Sequence, residues 1–562
     1  MMKMARLFKI VGMISLFSCF LGDAMAAKHA LLVGIDQYSF KPLYGPVNDV
    51  NALHKVLSQF WGFKKNEIKT LTNEQATKKN IIGAIQAIIN DVKKNEQVLI
   101  YLSGHGTSSA DPDLVFPLPT SSGAFIPYDA AKAQSLTALR AALIIGQRDL
   151  YPLFSELDQR SSNVFVIIDA CYSGNSVRGN QQTLPQRYVS LKTLLEKNQF
   201  TSRNTTQRSI KVIYELNKQD NKDYPYKNIY YLSASGEFEA AQDISPAFLS
   251  QYSTFDGKPH GAFTDTLLQI LSLKIPADVN KNGTISYAEL KQVTRDLMMQ
   301  RGFLHTPQGL PSLAQDQDYI AGKPLLASTA PLSKKNQDYS DYPKRPGLFI
   351  DPQFKHLTAK FKNIKLLSIN QKKNYFHLKK INSQVRLETA AGREMATLVA
   401  PSPTRIIDLL AHHAWVYGLY HSPFDNSFFV DFDMYRSGRG SSVVKGETIG
   451  FSIRSEKQVY ILLVNFDSQG QAQVIYPYDE TELKPLPANQ LFAKPNLTTI
   501  SEPTGLEVLQ LYAFTQFDPL LADLVNATFT HSSVLKRKFE QLINKNVEKS
   551  RASLLVQTLV QR

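Results

Sequence analysis

Cysteine is nearly missing from this sequence. Its 562 residues include two, Cys19 and Cys171. Cys19 lies in a leading segment with the marks of a removable targeting peptide, so Cys171 is expected to be the sole thiol of the mature chain. A single thiol forms no internal disulfide, which excludes a disulfide-stapled scaffold and leaves either an inert buried thiol or a reactive one. A long apolar run is also missing from the leading segment. Its apolar stretch, Ile10 to Leu21, is too short and too soon ended by Asp23 to read as a membrane span. Nor is there a sustained basic block. The formal charge is +14, from 63 Lys and Arg against 49 Asp and Glu, but the cations are spread along the chain, which argues against nucleic acid as a partner.

Lys3, Arg6 and Lys9 precede or enter the first apolar run, and Ala24-Met25-Ala26 offers a small-x-small cleavage site. This reads as a signal peptide over residues 1–26, and so as a periplasmic or secreted protein. Lipid attachment at Cys19 is the alternative, although Phe17 suits such a site poorly. The length exceeds one ordinary core and implies two or three domains.

The most informative stretch is NVFVIIDACYSG, Asn163 to Gly174. Val164 to Ile168 is an unbroken, β-branched apolar run, the pattern of a strand buried on both faces of a parallel sheet. Such a strand delivers Cys171 to the carboxyl edge of the sheet, where ligands bind in open α/β folds. QVLIYLSGHG, Gln97 to Gly106, has the same design and ends at His105. If the two strands are parallel neighbours, thiol and imidazole leave the sheet on the same side. A thiol needs a nearby base, because the thiolate is the nucleophile.

SGHG and DACYSG, in this order and each after an apolar strand, resemble the caspase-like cysteine peptidases, most closely the metacaspase and bacterial caspase-like branch. The resemblance runs from about Lys28 to Ile320. It implies His105 as general base and Cys171 as nucleophile, with the amides of Gly106 and Cys171 as oxyanion donors; no third catalytic residue stands out. Asp169, two residues before Cys171, shares its face on an extended chain. Asp49 opens the first helix, and Ser103 precedes His105 by two. In metacaspases the matching positions line the pocket for the residue before the scissile bond, so the resemblance implies cleavage after Arg or Lys, whose cations two carboxylates and a hydroxyl attract. One departure is Pro46, where metacaspases often carry a cysteine. Ser233 and Ala234, at the end of another apolar strand, are expected to line the peptide groove.

The fold expected is α/β: strands at His29–Asp36, Ile68–Leu71, Val98–Leu102, Val164–Ile168 and Asn228–Ser235 alternate with helical patterns. This peptidase domain spans 28–323. The polar interval 175–227 carries several Arg and Lys and reads either as a self-cleavage segment or as an inert insertion. Residues 278–289, DVNKNGTISYAE, match the calcium loop of an EF-hand. Asp278, Asn280, Asn282, Thr284 and Glu289 are its candidate ligands. The dyad itself requires no cofactor. Asp111, Asp113 and Asp129 match more loosely the acidic loops of calcium-activated metacaspases.

A Pro-rich linker, 324–347, leads to a β-rich region, 348–562, with a hairpin about Asp467–Gly470. It resembles the β-rich domain of unknown role found after some bacterial caspase-like domains. It is expected to be a binding or anchoring module for a protein or cell-envelope partner. His412 and His413 lie in tandem without a third ligand. The sequence is silent on oligomeric state. Two rival readings stay open: a non-catalytic scaffold that keeps the fold, and a calcium-responsive binding protein.

Overall fold

The structure is a computed structural model. It describes residues 27–108, 123–171, 184–190, 193–194, 224–236, 239–303, 305–326, 345–369, 375–390, 392–421, 424, 426–435, 442–501 and 505–559. Residues 1–26 with Cys19, the acidic residues Asp111 and Asp113, and most of the 175–227 interval and of the expected linker lie outside the described residues.

The organising element is a six-stranded sheet. Its strands are β1 (Lys28–Gly34), β2 (Ile68–Thr72), β3 (Gln97–Ser103), β4 (Asn163–Asp169), β5 (Ile229–Ser233) and β6 (Gln308–Leu310). The spatial order is β6-β5-β4-β3-β1-β2, parallel throughout except for the edge strand β6. LLV in β1, VLIYL in β3 and VFVII in β4 are buried at every position. That burial on both faces is why these runs do not alternate with polar residues.

Helices cover both faces. α1 (Pro46–Phe60) packs with α4 (Ala262–Leu271) and α5 (Tyr287–Gln300) on one side. α2 (Lys78–Asp91) and α3 (Tyr151–Arg160) pack on the other. Local chemistry sets their starts. Thr77 caps α2 through its side chain, and Ser286 with Glu289 forms a capping box on α5.

Register decides what meets at the carboxyl edge. Gly34 of β1, Ser103 of β3 and Asp169 of β4 lie on one rung, and the amide of Gly104 donates to Asp169 O at 3.2 Å. His105 and Cys171 are therefore each two residues past the same rung on adjacent strands, which run about 4.8 Å apart.

The C-terminal region holds a four-stranded, a three-stranded and a six-stranded sheet. Two of its strands, β7 (Val430–Met434) and β8 (Lys549–Leu559), reach back to α5. Tyr460–Phe466 and Gln471–Tyr476 form the expected hairpin. Two details differ from the sequence reading. The helix expected over 533–549 ends at Ile543 and gives way to β8, because Lys549 onward pairs along the Gly505–Phe514 strand. A helix not anticipated, α6 (Pro403–His421), fills the core between sheets. Its tandem His412 and His413 are buried, and each Nε2 sits 3.2 Å from a backbone carbonyl, Asp467 O and Ser468 O respectively. They pin the helix to the hairpin turn.

Candidate active site

The His105 ring is held on three sides by the segment that follows β1. Its Nε2 donates to Lys41 O at 2.7 Å, its backbone amide donates to the Tyr38 hydroxyl at 3.1 Å, and its ring packs against Tyr38 with centroids 4.7 Å apart. A proton on Nε2 leaves the lone pair on Nδ1, which is buried and accepts no hydrogen bond. That is the atom able to take a proton. The Lys41 carbonyl thus orients the base, a role that no side-chain pattern in the sequence could signal.

Cys171 follows β4 directly and is fully buried. The amide of Ala241 donates to its Sγ at 2.6 Å. Burial pushes the thiol up to about 12 and pushes His105 down to about 3. Both shifts favour a neutral thiol beside a neutral imidazole in this closed form.

What closes the site is a piece of the chain itself. Residues 185–189 cross the sheet edge as an extended segment, and backbone hydrogen bonds hold it on both sides. Asp243 N donates to Pro185 O at 2.7 Å, Arg187 N to Ala241 O at 2.9 Å, and Val189 N to Gly106 O at 3.2 Å. The carbonyl oxygen of Arg187 accepts from Gly106 N at 3.0 Å and from Cys171 N at 3.2 Å. These are the two amides expected to hold an oxyanion, and the distances suit that role. A Cβ on Gly106 would lie 2.2 Å from Cys171 O, so only glycine permits this approach.

The Arg187 side chain is fully buried in a ring of carboxylates. Nη2 meets Asp49 Oδ2 at 2.7 Å and Asp243 Oδ1 at 2.8 Å, and Nε meets Asp243 Oδ1 at 3.2 Å. Nη1 meets Asp169 Oδ2 at 2.9 Å, Ser103 Oγ at 2.6 Å and Asp169 O at 3.2 Å. Asp49, Ser103 and Asp169 are the three residues expected to form this pocket. Gly261 flanks the guanidinium; a Cβ there would lie 2.6 Å from Arg187 Cζ.

Two pocket residues escaped the sequence reading. Asp243 supplies the third carboxylate, and its Oδ2 accepts from Tyr44 N at 2.8 Å. His260 lies beneath, its ring nitrogens 2.8 Å from Asp49 Oδ1 and 2.9 Å from Asp256 Oδ1. Neither sits beside a recognisable motif. Burial works against charge throughout, and the partners decide the outcome. Asp49 is pushed up by burial but held below its usual range by Arg187 and His260. Burial prevails at Asp169, which rises to about 6, and at Asp243, which is also raised. Burial lowers His260, but its hydrogen bond to Asp49 overrides this and carries it to about 9.

Ser233 and Ala234 take other work. Ser233 Oγ donates to Ser235 O at 3.1 Å, and Ala234 O lies 2.7 Å from His305 Nδ1. Ala241 and Asp243, further along the same loop, touch the Arg187 segment instead.

The 278–289 loop is closed by its own hydrogen bonds. Glu289 is buried, and Val279 N, Asn280 N, Ser286 N and Ser286 Oγ donate to its two oxygens at 2.8–3.4 Å. Asp278 accepts from Asn282 N and Gly283 N, Asn280 Oδ1 from Asn282 N, and Asn282 Oδ1 from the amide and hydroxyl of Thr284. Burial pushes the Glu289 carboxyl up to about 7. In this arrangement Glu289 joins Ser286 in capping α5, while Asp278, Asn280 and Asn282 accept amides of their own loop. With two carboxylates, one of them buried and pushed toward its neutral form, the set is a poor match for calcium. Among the described residues no group of three or more His, Cys, Asp or Glu is placed to hold a metal.

Comparison with known proteins agrees with the site. Residues 28–178 match the family described as metacaspase, peptidase C14 domain. Residues 442–516 match a domain of unknown function, DUF4384. Metacaspase-1 of Scheffersomyces stipitis is 39% identical over 93 residues, covering 15% of this chain and 23% of that protein. Metacaspase-1B of Aspergillus oryzae is 24% identical over 281 residues, covering 44% of this chain and 61% of that protein. The chain therefore spans about a quarter of the first relative and under two thirds of the second. Among solved structures, caspase-1 of Spodoptera frugiperda aligns at 11% identity and a TM-score of 0.27, covering 50% of this chain and 86% of that one.

The ion pairs beneath the pocket give a pH signature. The folded value of His260, about 9, lies above the ordinary histidine value of 6.5. Its proton-linked stability is thus complete below pH 6.5 and lost as pH rises through 9. His260→Gln is expected to lower the unfolding midpoint more at about pH 6 than at about pH 10, by a linkage of about 3 kcal/mol at the lower pH. Thermal melts of both proteins across this range provide the check.

Proposed function

We propose that this protein is a cysteine endopeptidase that cleaves after arginine, and that it cuts its own Arg187–Tyr188 bond first. The observation that carries this reading is the pose of Arg187. Its guanidinium is ringed by three carboxylates while its carbonyl oxygen accepts from the amides of Gly106 and Cys171. That is how a substrate residue sits just before its bond is broken.

The steps follow from these groups. Cys171 Sγ attacks the Arg187 carbonyl carbon and yields its proton to Nδ1 of His105, whose Nε2–H stays on Lys41 O. The two amides take the growing negative charge on oxygen. The imidazolium then protonates the departing Tyr188 nitrogen as the C–N bond breaks and an S–C bond to Arg187 remains. Water, activated by the neutral imidazole, hydrolyses that thioester. Lys41 Nζ, 3.2 Å from Tyr188 O, steadies the leaving side.

The pocket favours arginine over lysine. All three guanidinium nitrogens are engaged, and Asp243 receives two of them. A lysine ammonium is one point charge and leaves part of this buried ring unpaired. Export through the 1–26 segment remains part of the proposal, tested by cell fractionation and amino-terminal sequencing of the mature protein.

Three outcomes are expected. Purified wild type yields a fragment whose amino terminus is Tyr188, whereas Cys171→Ala and Arg187→Ala stay in one piece under the same conditions. Fragments starting elsewhere, or cut Cys171→Ala protein, would remove the reading. On fluorogenic peptides, kcat/KM for arginine exceeds that for lysine by on the order of tenfold to a hundredfold, an aspartate-ended peptide is not turned over, and Asp243→Asn narrows the gap. Millimolar calcium leaves the melting midpoint unchanged, while Glu289→Ala lowers stability by about 1 kcal/mol through the lost cap.

A further inference from the structure

Helix α5 reads as a surface helix, since Lys291, Gln292, Arg295, Asp296 and Gln300 lie among its apolar residues. In the fold every α5 residue except Asp296 is buried. A helix with charges buried on it needs fixed partners, and they come from the C-terminal region. Lys291 Nζ lies 3.0 Å from Asp431 and 3.3 Å from Asp433 of β7, and Arg295 Nη2 lies 3.1 Å from Asp433 Oδ1. Gln300 Nε2 donates to Tyr420 O of α6 at 3.1 Å.

Arg295 also faces the other way. Its Nε donates to Pro307 O at 2.9 Å. The three residues ending at Pro307 grip the loop that lines the catalytic site. His305 Nδ1 donates to Ala234 O at 2.7 Å, leaving Nε2 to accept from Gln242 N at 3.1 Å, and Thr306 N donates to Glu239 Oε2 at 2.6 Å. Next to Gln242 stand Ala241, whose amide meets Cys171 Sγ, and Asp243, which meets the guanidinium.

We propose that the C-terminal β-rich region is a positioning scaffold for the peptidase site. Asp433 fixes Arg295, Arg295 fixes the 305–307 segment, and that segment fixes the 239–243 loop against thiol and substrate. Asp433 and Arg295 are positioning residues that touch neither substrate nor thiol. The proposal rests on the peptidase reading for its kinetic consequence only; the geometry it predicts for the loop does not need turnover.

The test uses full-length chains carrying Asp433→Asn, Asp433→Glu or Asp431→Asn. Asp431 belongs to the same buried interface, and among the described residues its carboxylate pairs with Lys291 and not with Arg295, so Asp431→Asn reports interface stability alone. Hydrogen–deuterium exchange is measured in the Cys171→Ala background. Asp433→Asn is expected to raise exchange at 239–243 and 305–307, Asp433→Glu to restore protection in part, and Asp431→Asn to leave both segments protected. In catalytically intact chains, Asp433→Asn is expected to raise KM for an arginine peptide about tenfold, with a smaller change in kcat. Equal exchange at the loop in all variants, or equal deprotection by Asp431→Asn, would overturn the scaffold. Wild type that turns over no peptide would sink the peptidase reading, while the exchange result would still decide this one.

Discussion

One buried cation governs the architecture of the site. A guanidinium taken out of water costs several kcal/mol unless opposing charges meet it at close range. Arg187 meets three, drawn from the first turn of α1, the end of β4 and the loop after β5. Without it, three carboxylates would face one another in a low dielectric, with His260 paired to one of them, Asp49. The closed form therefore depends on the 185–189 segment, which supplies that cation. The same ion pairs that stabilise the fold hold a peptide bond over the thiol.

The dyad is matched to that closed state. Burial keeps the thiol protonated and the imidazole neutral, so no reactive thiolate waits in the resting chain. In the proposed peptidase, reactivity then depends on a carbonyl being seated in the two-amide cradle, where attack and proton transfer can occur together. A site of this kind couples chemistry to occupancy. Backbone groups do much of the work: the Lys41 carbonyl orients the base, and the amides of Gly106, Cys171 and Ala241 surround the reacting atoms.

The two halves of the chain share a helix. α5 belongs by sequence to the peptidase region, yet its polar residues find their partners on β7 and α6. The C-terminal region, expected as an anchoring module, thus supplies an inner wall. Its own polar pattern gave no warning, because Asp431 and Asp433 alternate with apolar residues as any half-exposed strand would. Only the facing Lys291 and Arg295 make them interior.

Five of the six strands of the sheet and the edge at which His105 and Cys171 emerge were legible in the chain, since a strand buried on both faces must be written as a continuous apolar run; the short antiparallel edge strand β6 carries no such run. Asp49, Ser103 and Asp169 could be placed near that edge because each sits within a few residues of a strand or helix end. The 175–227 interval could be marked as a cleavage segment, but not which of its basic residues would be bound, and Asp243, His260 and the Lys41 carbonyl could not be placed at all. They join the site across sequence separations of up to more than two hundred residues, through loops that carry no periodicity. Short-range pattern fixes where an element runs and which face it buries. Which distant loop closes over it is decided by charge compensation in the folded interior, and that exists only once the chain has come together.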